Sequence, residues 1–296
     1  MRIGSLFSGI GGLDLACEQA FGGETVWQVE IDDHCQRVLA ARWPEAKRHR
    51  DVRQVRARDL EPVDVLCGGF PCQDLSSAGS QAGLDGERSG LYSELLRLAI
   101  ELEPGFVVIE NVPRLMHYRE RLESDFAQAG YGLIWQPCSA SDAGAPHRRK
   151  RVFVLAVRGL AGFSQVLPEP SRARSAPAWP TPCARDYRSG KGFTAATQAK
   201  RQGSPQLPEV AGGCLNPRWV ELLMGFPQGW TNPDEEPEQH AWPMGRGDEQ
   251  AHHEPPRLVA PRSVKNRPAR IKALGNAVVP QQAALALRSM LPSTKS

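Results

Sequence analysis

The chain has 296 residues, 41% hydrophobic and 23% charged, with a formal net charge of +3. That length suits one large core with a smaller appendage, and the near-average composition argues against wholesale disorder and against a membrane protein. A net charge this small does not by itself identify a polyanionic partner.

The first residues run straight into an apolar, strand-like stretch that lacks the basic region, apolar core and cleavage site of a signal peptide. No stretch has the length of a membrane span. Seven cysteines, an odd number without framework spacing, read as reduced thiols of a cytoplasmic protein. In chain order, 2–7, 25–30, 63–67, 106–110, 132–137 and 152–157 are predicted strands. Between them, 13–21, 34–42, 91–102 and 120–128 carry apolar residues at helical spacing, and such alternation implies an α/β sheet with helices on both faces.

Composition changes after residue 160. Up to residue 217 there are eight prolines, and seven Lys or Arg against three acidic residues, which reads as a small irregular domain or a linker. Residues 233–256, rich in Asp, Glu and His, read as a loop or a partly disordered piece, and 279–291 regains helical spacing. Two basic clusters stand out: His147-Arg148-Arg149-Lys150-Arg151, and 257–272 with six basic residues and no acidic one. Either alone reads at least as readily as a solvated charge run as a nucleic-acid surface.

Chemistry-bearing residues gather at strand ends. Phe7-Ser8-Gly9-Ile10-Gly11-Gly12 places close glycines where a strand gives way to a helix, so the backbone can turn tightly and approach a ligand. Glu30, followed by Ile31, ends the second run and suits both hydroxyls of a ribose, and Asp51, followed by Val52, could accept from an adenine amino group. For each carboxylate alone, a surface charge or helix cap is the plainer reading. The glycine spacing departs from the dinucleotide pattern G-x-G-x-x-G, which favours an adenosine cofactor without phosphates.

Gly68-Gly69-Phe70-Pro71-Cys72-Gln73 presents a cysteine in a glycine-rich turn at the C-terminal edge of the sheet, where open α/β sheets place their ligands. Zinc is disfavoured, because Cys67 and Cys72 have no second pair. Glu110 ends the apolar run 106–109, and an apolar approach disfavours the charged form of a carboxyl, so a neutral Glu110 could donate a proton. An ordinary strand-end cap is the alternative.

Six ordered motifs together resemble the cytosine-5 DNA methyltransferase family of bacterial or phage type. They are the glycine turn, Pro71-Cys72-Gln73, Glu110-Asn111-Val112, His147-x-Arg149-x-Arg151, Leu223-Met224-Gly225-Phe226-Pro227 and Gly275-Asn276-Ala277-Val278-Val279-Pro280. The resemblance runs over 2–291 with a gap in the variable middle. It implies an α/β, Rossmann-like S-adenosylmethionine-dependent methyltransferase sheet with a smaller target-recognition domain. The corresponding division is 1–160 for catalysis and cofactor, 161–266 for target recognition, and 267–296 returning to the first domain.

By the family pattern, Cys72 is the nucleophile, and Glu110, Arg149 and Arg151 hold the target base or support the loop around it. Phe7, Ser8, Gly9, Gly11, Gly12, Glu30, Ile31, Asp51, Val52, Leu91, Asn276, Ala277 and Val278 line the cofactor site, and no metal is implied. One departure is His147, where the family commonly has glutamine; the variable segment is also short. The implied activity is methyl transfer from S-adenosylmethionine to carbon 5 of a flipped-out cytosine in double-stranded DNA, compatible with a restriction-modification pair and a cognate endonuclease. Thiolate addition at carbon 6 activates carbon 5, and the 257–272 run would track the DNA backbone.

Specificity is assigned to 162–214, with help from 233–262, through Arg172, Arg174, Arg185, Arg188, Lys191 and Arg201, with Tyr187 and Phe193 as anchors or base contacts. Two alternatives stay open. A transfer-RNA cytosine methyltransferase shares the chemistry but usually carries a Cys-Phe-Thr tripeptide, absent here. A catalytically silent DNA-binding relative would not need Cys72 and Glu110, both present.

Overall fold

The apolar runs of the first half become strands of one sheet. The computed structural model describes residues 1–71, 90–170, 179–188, 205–260 and 262–291. In chain order the elements are β1 (Arg2–Leu6), α1 (Gly12–Phe21), β2 (Glu24–Val29), α2 (Asp33–Arg42), β3 (Lys47–His49), β4 (Val65–Gly68), α3 (Gly90–Leu102), β5 (Phe106–Asn111), α4 (Arg119–Gln128), β6 (Tyr131–Ser139), β7 (Lys150–Arg158) and β8 (Ser164–Val166). After these come α5 (Leu207–Ala211), α6 (Pro217–Leu223), α7 (Arg267–Asn276) and α8 (Pro280–Met290).

Among the described residues the sheet has eight strands in the order β3-β2-β1-β4-β5-β7-β6-β8. The first five pair in parallel, and β7 runs antiparallel to both β5 and β6. Strand alternation sorts the side chains. Val107 and Ile109 join one core with Leu95, Leu98, Leu122 and Phe126 of α3 and α4, whereas Val108 faces the opposite core with Leu13, Ala16 and Cys17 of α1. The second face is completed by Ala283, Ala284 and Leu287 of α8, so the late helix lies beside the first.

A third core is of another kind. It joins Ile10, Cys35 and Val38 to Leu215, Trp219, Leu223, Phe226, Trp230, Ile271 and Leu274, seating the later region on the sheet. The 233–256 stretch has no regular element, yet it is packed: Gln228 and Glu238 exchange backbone hydrogen bonds of 2.9 Å, and Leu215 bridges Leu258. Of the two expectations for this stretch, the loop is the one that matches, tied at Glu238.

The 257–272 run also departs from expectation. Arg267 and Arg270 are buried on α7. Arg267 donates to the carbonyls of Leu215 and Tyr187, both at 3.1 Å, and Arg270 pairs with buried Glu221 at 2.9 Å. Lys265 and Lys272 pair with Asp234 and Asp32, and the Arg257 guanidinium lies 4.9 Å from the centre of the Trp179 ring. Arg267 and Arg270 are thus turned inward to backbone carbonyls and a buried carboxylate, whereas Arg257, Arg262, Lys265 and Lys272 are not buried. No helix among the described residues is long and apolar enough to cross a membrane.

Candidate active site

The C-terminal ends of β1, β2, β4 and β5 share one edge of the sheet, and antiparallel β7 begins there with Lys150 and Arg151. Strand order reverses between β1 and β4, with α1 on one face and α3 on the other, so a crevice opens at that switch point.

The glycine turn lies on one side of it. Phe7 has a positive φ of 55°, a rare conformation for a bulky residue. Ser8 is buried, donating its backbone N–H to Val29 and its hydroxyl to Ser5. Glu30 accepts the N–H groups of Gly9 and Asp32 at 2.7 and 2.8 Å, so the carboxylate braces the turn. With about four acceptor positions per carboxylate, Glu30 keeps capacity for hydroxyls. Space in front of the turn is open at Gly9, and beside Glu30 the apolar Ile31 is 59% exposed.

Asp51 caps the short turn after β3 and takes both the backbone N–H and the guanidinium of Arg53, which holds its carboxyl below the usual carboxylate range. Val52 is buried, and Leu91 is half-buried on α3. Asn276 is exposed, and Ala277 and Val278 follow α7. A Cβ on Gly12 would collide with the Val278 carbonyl, so only glycine lets the C-terminal motif lie on the cofactor turn. Chain ends far apart in sequence therefore meet at one place.

Across the crevice, Glu110 and Arg151 form an ion pair of 2.8 Å with side chains 12% and 17% exposed. The apolar surroundings expected for Glu110 are replaced by a guanidinium, because the antiparallel register of β5 and β7 brings the start of β7 beside the end of β5. The other carboxylate oxygen lies against Gly69, where a Cβ would approach within 2.9 Å. Asn111 donates to the Phe70 carbonyl at 3.1 Å, tying β5 to the turn that leads into Pro71. Cys72 lies outside the described residues, as do Arg172, Arg174, Lys191, Phe193 and Arg201.

Arg149 is 4% exposed, with φ 29°, and its guanidinium donates to the carbonyls of Pro182, Gly275 and Ala277 at 3.2, 3.3 and 2.7 Å. This is loop support; the guanidinium is directed at backbone carbonyls, so contact with base or phosphate is not the role its position favours. His147 is fully buried, and its Nε2 lies 2.7 Å from the Leu223 carbonyl. Burial first, then the charge of Arg149, lowers its pKa to about 3, so the ring is neutral and Nε2–H donates. The ring N–H thus occupies the position where the resemblance expects a glutamine amide.

Three aromatics close over the turn, of which sequence reasoning had named only Phe226, and that without a role. Trp43 lies against Gly11 and Phe226 against Gly12, while the Trp230 indole donates to the Ile10 carbonyl at 2.8 Å. Only the glycine run and the Gly-Phe-Pro motif hinted at them, through the need of a bare backbone for flat partners. Among the specificity candidates, Arg188 stacks on Tyr187 at 5.5 Å, and Arg185 is exposed.

Residues 1–178 match the family model described as C-5 cytosine-specific DNA methylase. The Type II methyltransferase M2.BsuMI of Bacillus subtilis (strain 168) is 32% identical over 268 residues, covering 78% of this chain and 66% of that protein. M.HhaI of Haemophilus parahaemolyticus is 31% identical over 163 residues, covering 53% of this chain and 49% of the relative. The chain thus spans about half to two thirds of the length of these curated relatives. Among solved structures, Spodoptera frugiperda DNMT2 (a triple mutant) aligns with a TM-score of 0.61 at 17% identity, covering 97% of this chain and 98% of its own. A putative DNA modification methyltransferase encoded within an E. coli prophage aligns with 0.55 at 20%, covering 98% of each. At these identities the likeness is one of fold.

Proposed function

Because the chain belongs to the C-5 cytosine-specific DNA methylase family, we propose that it transfers a methyl group from S-adenosylmethionine to carbon 5 of a cytosine in a specific double-stranded DNA sequence. The observation that carries this reading is the convergence at one sheet edge of the Glu110–Arg151 pair, the turn entering Pro71-Cys72 and the braced glycine turn.

The cofactor turn offers an acidic brace, an open glycine and an exposed apolar residue, a set suited to adenosine rather than to a pyrophosphate. Glu30 holds the ribose hydroxyls, Ile31 and Val52 flank the adenine, and Asp51 takes its amino group. Phe7, Ser8, Gly9, Gly11, Gly12, Leu91, Asn276, Ala277 and Val278 form the walls. When bound, S-adenosylmethionine supplies the methyl group as an electrophilic substituent of a sulfonium.

The target cytosine leaves the duplex stack to reach this edge. The Cys72 thiolate adds to carbon 6, and the ring electrons move toward N3, leaving carbon 5 nucleophilic. N3 takes up a proton from solvent water as the ring electrons reach it, Glu110 accepts the hydrogen bond of that N3–H, and Arg151 fixes the carboxylate that does so. Arg149 positions the loop from inside. Once carbon 5 carries the methyl group, solvent water takes the carbon 5 proton, the thiolate departs from carbon 6, and N3 gives its proton back to solvent, which restores the ring. Residues 161–266 read the flanking sequence, with Arg185, Tyr187 and Arg188 on the described part of that region. The buried thiols Cys17, Cys35, Cys67 and Cys138 suit a reducing cytoplasm. A cognate restriction endonuclease would act on the same sequence.

Bisulfite sequencing of DNA from a host expressing the chain should reveal protected cytosines in one sequence context, and Cys72→Ser should abolish them while S-adenosylmethionine and DNA still bind. Protection that survives in the serine variant refutes the covalent step. An unmodified genome beside a folded wild-type protein refutes the activity.

A further inference from the structure

The segment 228–235, which follows the Leu223–Pro227 motif and lies outside all six, is held by many contacts. Buried Glu221 accepts from Gly229 N–H at 2.7 Å and from Thr231 N–H at 2.9 Å, and it also takes the Thr231 hydroxyl and Arg270. From α2, the Arg42 guanidinium collects the carbonyls of Gly229, Trp230, Asn232 and Glu235 and lies 5.4 Å from the centre of the Trp230 ring. These contacts fix a segment in which Gln228, Trp230 and Thr231 are all buried, and from it the Trp230 indole N–H reaches the glycine turn.

At the turn, the Ile10–Gly11 peptide is held at both ends. Its carbonyl accepts the Trp230 indole N–H at 2.8 Å, and its N–H donates to the Ser8 carbonyl at 2.8 Å. Gly11, on one side of this peptide, has a φ of 83°, and Gly9, just before Ile10, one of 56°. At Gly11 no Cβ resists rotation, so the hydrogen bonds rather than sterics hold that side of the peptide, while the other side ends on buried Ile10. Trp43 and Phe226, each 5.7 Å from Trp230, stack around that indole without bonding the carbonyl.

We propose that Trp230 is a positioning residue for the methyl-donor site: its indole N–H holds the Ile10–Gly11 peptide, and with it the Gly9–Gly12 backbone, in the binding conformation. This rests on the S-adenosylmethionine reading above. Trp230 acts through Ile10 and does not touch the cofactor, and it makes the turn after α6 part of the donor site.

The test compares Trp230→Phe, which keeps a ring but loses the donor, with Trp230→His, which is smaller but keeps a ring N–H, both in the full chain. The phenyl variant should bind S-adenosylmethionine about 10-fold more weakly, equivalent to about 1.4 kcal/mol. KM for the cofactor should rise equally, while kcat at saturation and DNA affinity stay within about twofold. The histidine variant should bind more tightly than the phenyl variant, an order that packing alone would reverse. Equal affinity in both variants, or the reverse order, overturns the proposal. Hydrogen exchange on the wild type needs no variant: S-adenosylmethionine should slow exchange in 8–12 and in 227–232 together, and protection of 8–12 alone also overturns it. A wild type that does not bind S-adenosylmethionine at all would instead refute the cofactor reading.

Discussion

Two carboxylate–guanidinium pairs of the same chemistry sit in different regions and do different work. Glu110–Arg151 lies at the sheet edge, 12% and 17% exposed, with one carboxylate oxygen toward the guanidinium and the other against Gly69. Glu221–Arg270 lies under the later region, 0% and 4% exposed, and its carboxylate takes four donors from Gly229, Thr231 and Arg270. A carboxylate has about four acceptor positions, so Glu221 is saturated by its own protein while Glu110 retains capacity for a ligand. Residual hydrogen-bonding capacity, rather than charge or pairing, separates the pair proposed to act on the base from the architectural one.

Breaking the buried pair tests this most severely. Arg270→Met leaves Glu221 buried without its cation and should destabilise by about 3–5 kcal/mol. Adding Glu221→Leu should recover much of that loss, because the penalty comes from the stranded charge. Urea denaturation of the single and double variants measures both, and a single variant within about 1 kcal/mol of wild type would contradict the saturated-pair account.

At the sheet edge the expectation inverts. Glu110→Gln should cost about 10²–10³ in kcat, about 3–4 kcal/mol in the barrier, with a loss of unfolding free energy smaller than that of Arg270→Met, because glutamine keeps an acceptor for Arg151 and that side chain still reaches water. Single-turnover methylation kinetics and denaturation, run on the same preparation, check the split. A variant that unfolds easily yet turns over normally would make Glu110 the structural member.

The smallest expected effect is set by pH, where the two regions carry opposite signatures. His147, beside the later core, has a folded pKa lowered to about 3 against an ordinary 6.5, so the unfolded chain binds more protons between those values. Its contribution is complete above about pH 6.5 and is lost as pH falls toward 3, about 2 kcal/mol of it between pH 7 and 5. Asp14, in the sheet region, is raised to about 6 by burial, so its ionisation removes stability as pH rises from about 3.8 to 6. His147→Gln keeps a donor for the Leu223 carbonyl and should flatten the acid-side loss, leaving the Asp14 slope. An unchanged difference between pH 7 and 5 would show that the imidazole does not titrate as argued.

The contrast also explains what could be read from the sequence. The run Val107-Val108-Ile109 alternates between two cores, and that period of two is visible in any chain that must bury both faces of a strand. Glycines and carboxylates at strand ends were legible for a similar reason, since the sheet edge collects whatever follows each strand. The arginines of α7 were not. Their partners, Leu215, Tyr187 and Glu221, lie at no characteristic spacing from them, so a buried guanidinium and a DNA-facing one look alike in sequence. β8 escaped as well, because three residues are too few to display alternation.

The pairing of α8 with α1 has a consequence for how the protein is made. Leu13, Ala16 and Cys17 pack against Ala283, Ala284 and Leu287, near the opposite end of the sequence. A ribosome adding ~5–20 residues per second needs roughly 15–50 s to pass from one to the other. Throughout that interval the first helix has no permanent cover, while the face bearing α3 and α4 can already close. The nascent chain therefore carries an apolar stripe that a chaperone can hold, and covering of that face of the sheet is timed by the emergence of α8.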